Sequence, residues 1–367
     1  MTTPASTSLL STTELLPLLD SPDVPFLLDV REPDEVADWA IPGVVNMPLG
    51  TLNDHIGDVP LDRDIVVICA KGMRAAQGAA ILAEHGVSSR VLDGGMGAWA
   101  STYDTVREDI GGATVVQIRR RGKGCLSYVV GAGDKAVVID PSLQIEQYVT
   151  IAEANGWTIT TVLDTHLHAD HISGARDLAK ATGATLMLSP SDPFHFDYQP
   201  LSDGLALALT DTVGLTVSAV SVPGHTQGSE MYQLGEDAIF TGDTLFLESV
   251  GRPDLADQAA EYAAHLYQSL HQRVLALPDE TLVFPAHYGA VVDVVGGQFV
   301  SKTLGELRQS LPALKLSEEE FVAWAIAHVK DRPPNYQQIV RMNMGDEAVT
   351  LDAAEIELGP NRCAVAS

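Results

Sequence analysis

Four apolar, strand-like runs in this chain each end in a residue that can bind a metal ion. The runs are TTVLDTH, VSAVSVPGH, DAIFTGD and TLVFPAH, and they end at His166, His225, Asp243 and His287. Side chains at the ends of neighbouring strands can converge on one point, because the sheet holds the strand ends rigidly while the loops stay free. The chain must therefore form a sheet whose strand ends meet at a candidate metal site.

The first run leads into THLHADH, which places His166, His168, Asp170 and His171 within one short segment. Histidine and carboxylate side chains are common ligands of zinc and iron. A lone histidine is more often a solvated or hydrogen-bonded structural residue, but a cluster followed by three further ligands at strand ends is seldom accidental. The residues alone predict a metal centre and leave the number and identity of the metals open.

Length and charge limit the classes of protein to which the chain can belong. Its 367 residues, 46% of them apolar, suffice for two packed units. The 22 Lys and Arg residues against 49 Asp and Glu residues give a net charge of -27, which would repel nucleic acids and anionic lipids. No apolar run approaches the roughly 18 residues that cross a bilayer. We expect a cytoplasmic protein without nucleic-acid or membrane partners; a homodimer is one option for the oligomeric state, which the sequence leaves open.

The order of the predicted elements indicates two domains and an extension. Strand-like runs PFLLDV, DIVVICA and SRVLDGG alternate with the helical MRAAQGAAILAEHG, which predicts an α/β domain with a parallel sheet. From Ser101 to Gly112 the pattern lapses into polar residues, and a strand-rich series then begins with TVVQIRR and CLSYVVGAG. The tail predicts one capped helix in LSEEEFVAWAIAHVKD. We place the domains at 1–108 and 112–300, followed by a C-terminal helical extension, 301–367, that packs on the metal domain.

The three cysteines are too few and too scattered for a disulfide framework. Cys125 lies in a predicted core strand, where we expect a structural role, and Cys363 lies in a short polar tail, where we expect exposure. Cys69 opens the loop CAKGMR directly ahead of a helix, near Lys71 and Arg74. Backbone amides at a helix N-terminus and nearby cations should stabilise a thiolate or a persulfide anion there. Cys69 is therefore the predicted nucleophile.

The motifs DVREPDEV, IPGVVNMPL, CAKGMR and LDGGMGAW together resemble a single rhodanese domain, a sulfurtransferase, over about Leu15 to Trp99. The resemblance implies that the catalytic Cys69 carries a sulfane sulfur as a persulfide. It implies that Arg74 closes the loop by pairing with an acidic residue such as Glu32. It also implies that backbone amides of the loop bind the sulfur, namely those of Ala70, Lys71, Gly72 and Met73.

THLHADH, PGHTQGS, TGDTLF and PAHYG, in this order, resemble the motifs of the metallo-β-lactamase superfamily over about Val115 to Gly297. The resemblance implies a four-layered αββα sandwich with the site at one edge of the two sheets. The expected fold is thus an α/β rhodanese domain followed by an αββα metallo-β-lactamase-fold sandwich.

Two metal chemistries follow from this resemblance. Members similar to glyoxalase II use two zinc ions and hydrolyse thioesters. There His166, His168 and His225 would hold one zinc, Asp170, His171 and His287 the other, and Asp243 would bridge them. Members similar to persulfide dioxygenases hold one Fe(II) through two histidines and a carboxylate, here His166, His225 and Asp243, with the other four residues outside the coordination sphere.

We favour the dioxygenase, because persulfide is the species that both domains can use. The expected reaction oxidises a low-molecular-weight thiol persulfide with O2 to sulfite and thiol at one Fe(II) per chain, with Cys69 exchanging sulfane sulfur with sulfite or thiosulfate. The alternative is a hydrolase with two Zn and a rhodanese appendage. A third hypothesis is a sulfur carrier or sensor whose metal domain only binds. The segment GRPDL differs from the GRTDF of the glutathione-using branch, so the thiol carrier stays open.

Overall fold

The structure, a computed structural model, describes residues 7–210, 216–254, 258–289, 294, 296–329, 332, 335–349, 353–359 and 361–365. The chain divides into two compact units. The first is built mainly from residues up to Asp104, and the second mainly from Thr105 to Glu357.

The first unit contains a parallel sheet with helices on both faces. Its strands are β1 (Thr7–Leu10), β2 (Phe26–Asp29), β3 (Val45–Asn46), β4 (Ile65–Ile68) and β5 (Ser89–Leu92). Its helices are α1 (Thr12–Leu19), α2 (Pro33–Asp38), α3 (Met73–Glu84) and α4 (Gly95–Trp99), with a 3-10 helix at Leu49–Asp58. Among the described residues the strand order is β1-β5-β4-β2-β3, and every pairing is parallel.

Alternate side chains of the central strands pack on opposite faces of this sheet. Leu28 and Val67 pack in the cluster that contains α3, whereas Leu27 and Val66 pack with Trp99 of α4. Successive strand residues point to opposite faces, so a strand covered on both sides must be apolar throughout. The parallel α/β pattern predicted from PFLLDV and DIVVICA is confirmed.

The second unit contains two sheets. One has strands β6 (Tyr103–Ile110), β7 (Ala113–Arg120), β8 (Cys125–Ala132), β9 (Lys135–Ile139), β10 (Thr158–Leu163), β11 (Thr185–Leu188) and β12 (Gln199–Pro200), in the reverse of chain order. The other has β13 (Ala206–Ala208), β14 (Thr216–Ser221), β15 (Glu230–Leu234), β16 (Ala238–Gly242), β17 (Leu282–Pro285) and β18 (Lys302–Thr303), in chain order.

Helices cover these sheets and complete the expected sandwich. They are α5 (Glu146–Asn155), α6 (Ala175–Thr182), α7 (Ala259–Ser269, continued by a π turn at Leu270–Val274), α8 (Leu304–Ser310), α9 (Glu318–Ala327), α10 (Tyr336–Met344) and α11 (Ala353–Ile356), with a 3-10 helix at Pro312–Lys315. Among the helices whose residues are described, none combines the length and apolar character that a membrane span requires.

Aromatic side chains join the two sheets of the second unit. The ring of Tyr128 on β8 lies 4.8 Å from that of Phe240 on β16 and 5.6 Å from that of Phe284 on β17, both edge to face. All three residues belong to the large buried cluster that contains residues of both sheets. These contacts join β8 of one sheet to β16 and β17 of the other.

The structure differs from the sequence analysis at two places. The polar stretch from Ser101 to Gly112 contains strand β6, at the edge of its sheet, where only Val106 and Ile110 of the strand are buried. Polar residues are typical of an edge strand, because water can satisfy its outer side. The tail, for which we predicted one helix, contains α8, α10 and α11 besides the capped α9. The domain limits 1–108, 112–300 and 301–367 stay a prediction.

We expect Phe321→Ala to destabilise the second unit by ~3–5 kcal/mol, because it removes a fully buried ring from the core. This ring on α9 contacts Tyr267 of α7, with 5.6 Å between the centroids. Urea-induced unfolding measures the change. Ile326→Ala, on the exposed side of the same helix, is the control and should change the stability by less than about 0.5 kcal/mol. Equal losses in the two variants would contradict this packing of α9.

Candidate metal centre

Three donor atoms from distant parts of the chain meet in the second unit. His166 follows β10, His225 follows β14 and Asp243 follows β16, so both sheets contribute. Asp243 Oδ2 lies 3.5 Å from His166 Nε2 and 3.5 Å from His225 Nε2. All three atoms are buried, and none has a hydrogen-bond partner in the described part of the chain. Buried polar atoms are nearly always paired, so this cluster has the form expected of a cation site.

A hydrogen bond behind each of these side chains sets its orientation. His225 Nδ1 donates to the carbonyl of Arg252 at 2.9 Å, and Asp243 Oδ1 lies 2.6 Å from His287 Nδ1. His166 Nδ1 lies 2.9 Å from Thr165 Oγ1, which itself donates to Asp140 Oδ2. In each case the atom that faces the cluster is left free to bind a metal, as is usual for metal-binding histidines.

The charge state of the group also fits a metal. Burial lowers the pKa of His225 to about 4, so its imidazole is neutral at physiological pH. Burial acts against the Asp243 carboxylate, but the adjacent His287 and His166 hold its pKa well below the usual range. Two histidines and one ionised carboxylate are the donor set that non-heme Fe(II) oxygenases use. His166, His225 and Asp243 can therefore hold an iron ion.

A second group of potential ligands lies beside the first. Cys125, Asp170, His171 and His287 each place a donor atom within 4.8 Å of those of the other three. His287 Nε2 lies 2.8 Å from Asp170 Oδ2, at an angle that makes no hydrogen bond, and His171 Nδ1 lies 3.0 Å from Asp170 Oδ1. The Cys125 thiol lies 3.7 Å from Asp170 Oδ2. One thiol, one carboxylate and two imidazoles are also a donor set for zinc.

His168 points to two carboxylates and falls outside both groups. Its Nε2 lies 3.1 Å from Asp140 Oδ1 and 3.9 Å from Asp164 Oδ1. Burial opposes a charge on this ring, but the Asp140 carboxylate raises the pKa of His168 to about 9. Its Nδ1 is buried and has no partner among the described residues. His168 is thus a buried cation with one nitrogen turned away from its carboxylates.

Sterics explain why the TGD motif has a glycine at position 242. Gly242 has a φ of +54°, and a Cβ at this position would lie 2.6 Å from Thr165 Oγ1. A larger residue would push the THLHADH loop away from Asp243. Gly242 thus allows the end of β16 to approach the loop that follows β10.

The sequence analysis missed two residues that hold the THLHADH loop from behind. Asn343 of α10 donates from its side-chain amide to the carbonyls of His168 (2.9 Å) and His171 (2.8 Å), and it accepts from the Ser173 amide. Glu357 accepts a hydrogen bond from the Ile172 amide at 2.5 Å. Both residues lie in the C-terminal extension, far from the loop in sequence. A short polar helix such as YQQIVRMNM offers no local indication of such a contact.

The prediction that Cys363 is exposed was wrong, whereas Cys125 lies in a buried strand, as predicted. Cys363 was expected to be exposed, but it is only 5% exposed and lies with Asp243 and His287 in a group whose donor atoms are all within 4.8 Å. The carbonyl of Cys363 accepts a hydrogen bond from Arg252, which draws the tail to the centre. Cys125 is buried in β8, as predicted, but contacts Asp170 besides its core neighbours. Two thiols therefore adjoin the candidate metal centre.

In the first unit, Cys69 follows β4 and precedes α3. Its Sγ accepts hydrogen bonds from the backbone amides of Gly72 (3.1 Å) and Ala75 (3.2 Å). Ala75 lies one residue beyond the predicted loop, whose Ala70 is half-buried and whose Lys71 and Met73 side chains are exposed. The two amides direct positive charge at the sulfur, as the predicted nucleophile requires.

Gly95 of LDGGMGAW makes the close packing of this loop possible. A Cβ at Gly95 would lie 2.2 Å from the carbonyl oxygen of Cys69, so no larger residue fits without moving the loop. The amide of Met96 then donates to the same carbonyl at 2.9 Å. The glycine motif and the cysteine loop therefore form one structural unit.

Arg74 closes the loop by pairing with Glu35, whereas we had expected Glu32. Its two terminal nitrogens lie 2.6 and 2.8 Å from the two carboxylate oxygens of Glu35. The hydrogen bond from Arg74 lowers the pKa of Glu35 to about 2. Glu32 and Glu35 lie one turn apart at the start of α2, where Glu32 is the N-cap residue. The carboxylate one turn into the helix is the one that reaches Arg74.

Comparisons with known proteins agree with this division of the chain. The model of the rhodanese-like domain matches residues 11–102, and that of the metallo-beta-lactamase superfamily matches residues 120–287. The persulfide dioxygenase ETHE1, mitochondrial, of Bos taurus is 32% identical over 209 residues, which cover 54% of this chain and 76% of that protein. A hydroxyacylglutathione hydrolase of Methylobacillus flagellatus is 34% identical over 152 residues, or 41% of this chain and 57% of that protein.

A solved structure is similar to the second part of the chain. The crystal structure of ETHE1 from Myxococcus xanthus aligns with a TM-score of 0.55 and 30% identity, covering 63% of this chain and 98% of that one. The fold predicted from the sequence is confirmed for both parts of the chain. This chain belongs to the metallo-beta-lactamase superfamily, as a relative of the ETHE1 proteins that carries a rhodanese-like domain ahead of its metal-binding fold.

Proposed function

We propose that the protein is a persulfide dioxygenase coupled to a sulfurtransferase. The second unit would convert a low-molecular-weight thiol persulfide, O2 and water into sulfite, the free thiol and two protons. The outer sulfur loses four electrons in this reaction, and O2 accepts them. The name of the Bos taurus relative, a persulfide dioxygenase, points to the same substrates.

The observation that carries the proposal is the composition of the compact, unpartnered group. It contains His166, His225 and Asp243, and its donor atoms all lie within 4.8 Å of one another. His168, which a zinc site of the hydrolase type would require, instead clusters with Asp140 and Asp164. Fe(II) held by His166, His225 and Asp243 would supply the activation of O2 toward a sulfur substrate.

The surrounding residues orient the ligands and control protons. His287 bridges Asp170 and Asp243, and so keeps Asp243 Oδ1 occupied while Oδ2 faces the metal position. His168 holds a proton on Nε2 against Asp140, next to the ligand His166, whose ring centroid is 4.2 Å away. All of these side chains are themselves buried.

The first unit would transfer sulfane sulfur through Cys69. Sulfite attacks the outer sulfur of a Cys69 persulfide, the S–S bond breaks, and thiosulfate and the Cys69 thiol result. The amides of Gly72 and Ala75 would stabilise the persulfide or thiolate charge on the cysteine. Sulfite from the dioxygenase reaction would be a substrate of this step.

The alternative is a dinuclear zinc thioester hydrolase. One observation favours it: the group of Cys125, Asp170, His171 and His287 lies beside the first and can hold a second cation. Two such metals could generate a hydroxide near neutral pH and polarise a thioester carbonyl. The resemblance to hydroxyacylglutathione hydrolases fits this chemistry, although the matched segment spans 57% of the hydrolase named above.

We expect anaerobically prepared protein loaded with Fe(II) to consume O2 when a thiol persulfide is added, with about one sulfite formed per O2, as the balanced reaction requires. An oxygen electrode and sulfite analysis measure both quantities. For comparison, the zinc-loaded protein is tested for hydrolysis of a glutathione thioester. Rapid thioester hydrolysis without O2 uptake by the iron form would contradict the proposal.

The number of bound metal ions distinguishes the dioxygenase proposal from the zinc hydrolase alternative. We expect wild-type protein to bind about one Fe(II), and His225→Ala to bind far less, because a ligand is lost. Asp170→Asn should still bind about one Fe(II) at saturation, with an affinity reduced by roughly 10–100-fold, because Asp170 only supports the ligands. Elemental analysis and metal titration provide these values. A fall from two zinc ions to one in Asp170→Asn would instead favour the hydrolase.

The two activities should be separable by single substitutions. We expect Cys69→Ser to abolish sulfur transfer from thiosulfate to an acceptor, because the nucleophile is lost, while O2 uptake on supplied persulfide stays within about twofold of wild type. His225→Ala should do the reverse. Equal loss of both activities in Cys69→Ser would show that sulfur must pass through Cys69. Loss of all function in Cys69→Ser with none in His225→Ala would support a sulfur carrier.

A further inference from the structure

A cavity of about 600 Å³ opens beside the candidate metal group, and His225 forms part of its wall. One side of the cavity is a single face of α10, which presents Tyr336, Val340 and Met344 at a spacing of four residues. Leu167 of the THLHADH loop forms another part of the wall. The cavity is large enough for a small organic molecule that contacts His225.

The lining of this cavity is mostly apolar and aromatic, with a few neutral polar groups. Tyr262 of α7 and Tyr336 provide rings, and Thr226, Gln227 and Gln337 provide a hydroxyl and two amides. Such groups can hold the apolar body of a ligand and hydrogen-bond to its hydroxyl or amide groups.

Both charged side chains of the described lining, Asp192 and Arg341, have partners within the protein. Asp192 accepts hydrogen bonds from the amides of Leu167 and Gly228 and from the Thr226 hydroxyl, at 2.8–2.9 Å. Arg341 Nε lies 3.1 Å from a carboxylate oxygen of Glu347. The Arg341 side chain is about half exposed (51%), and the adjacent Glu347 carboxylate and the net charge of -27 weaken its attraction for an anionic ligand.

We propose that this cavity binds the organic part of the persulfide, and that it selects a neutral amphipathic thiol carrier with amide or hydroxyl groups over a carrier with free carboxylates. The inference rests on the proposed dioxygenase function. It goes further in naming the class of carrier, and it distinguishes this chain from enzymes that use glutathione, which has two carboxylates.

The test compares two persulfides, those of N-acetylcysteamine, which is a neutral amide, and of glutathione. We expect kcat/KM for O2 uptake by the iron-loaded full-length protein to be at least about tenfold higher with the neutral persulfide, because Arg341, the one Arg or Lys side chain of the described lining, is paired with the Glu347 carboxylate and Asp192 adds a negative charge. A preference for glutathione persulfide would overturn the inference.

Substitutions that add a positive charge test the cause of the selectivity. Val340→Arg, or Gln337→Arg at an exposed position of the same face, should shift the ratio of the two kcat/KM values toward glutathione persulfide by about fivefold, the effect of one partly exposed charge pair. Gln309→Arg adds the same charge at an exposed position of α8, outside the cavity lining, and should leave the ratio unchanged. An unchanged ratio in folded Gln337→Arg, or an equal shift in Gln309→Arg, would overturn the inference.

A binding measurement separates this inference from the dioxygenase proposal. Calorimetry of metal-free protein with the S-methyl derivatives of both thiols requires no reaction. We expect the wild-type protein to bind the neutral derivative more tightly, and Val340→Arg to reduce this preference over S-methylglutathione. That outcome supports the inference even if no persulfide drives O2 uptake. A lack of O2 uptake would count only against the dioxygenase proposal. Tighter binding of S-methylglutathione by the wild-type protein would overturn the inference.

Discussion

The second unit must hold three buried donor atoms together, although none of them has a partner in the described part of the chain. His166 Nε2, His225 Nε2 and Asp243 Oδ2 face one another at the edge of two sheets. A buried polar atom without a partner costs about 1–3 kcal/mol, so a fold keeps three of them together only if its framework holds them there. The aromatic packing between the sheets and the hydrogen bonds behind each ligand provide that framework, and a bound cation would offset the cost.

Alternating charges extend outward from this group. Asp243, His287 and Asp170 form a sequence of carboxylate, imidazole and carboxylate, with contacts of 2.6 and 2.8 Å. Burial opposes charge on His287, but its two carboxylate neighbours raise its pKa well above the usual value. A positively charged His287 supports Asp243 as a ligand and cannot itself bind a metal. The same residue would have to lose its proton for a second zinc to bind, so the number of metals and the charge of His287 are coupled.

The sequence predicted the parts of this site that have local patterns. Apolar runs that end in His or Asp indicated the strand ends, and the CAKGMR loop indicated the position of Cys69 against two amides. Contacts between distant segments had no such pattern. Cys363 reaches the centre through a backbone hydrogen bond to Arg252, more than a hundred residues earlier, and its polar neighbours suggested only exposure. Arg74 pairs with Glu35 and not with Glu32 because of the side-chain directions at the start of α2. Residue spacing alone does not determine these directions.

Helix α10 shows why the C-terminal extension matters to the chemistry. Asn343 on one side of the helix donates to the carbonyls of His168 and His171, while Tyr336, Val340 and Met344 on another side line the cavity. A displacement of the helix by a bound molecule would therefore be transmitted to the loop that carries His166. Because one rigid element contacts both regions, the shape of the cavity and the geometry of the metal ligands cannot vary independently. The helix proposed to select the carrier thus also supports the loop that carries the candidate ligand His166.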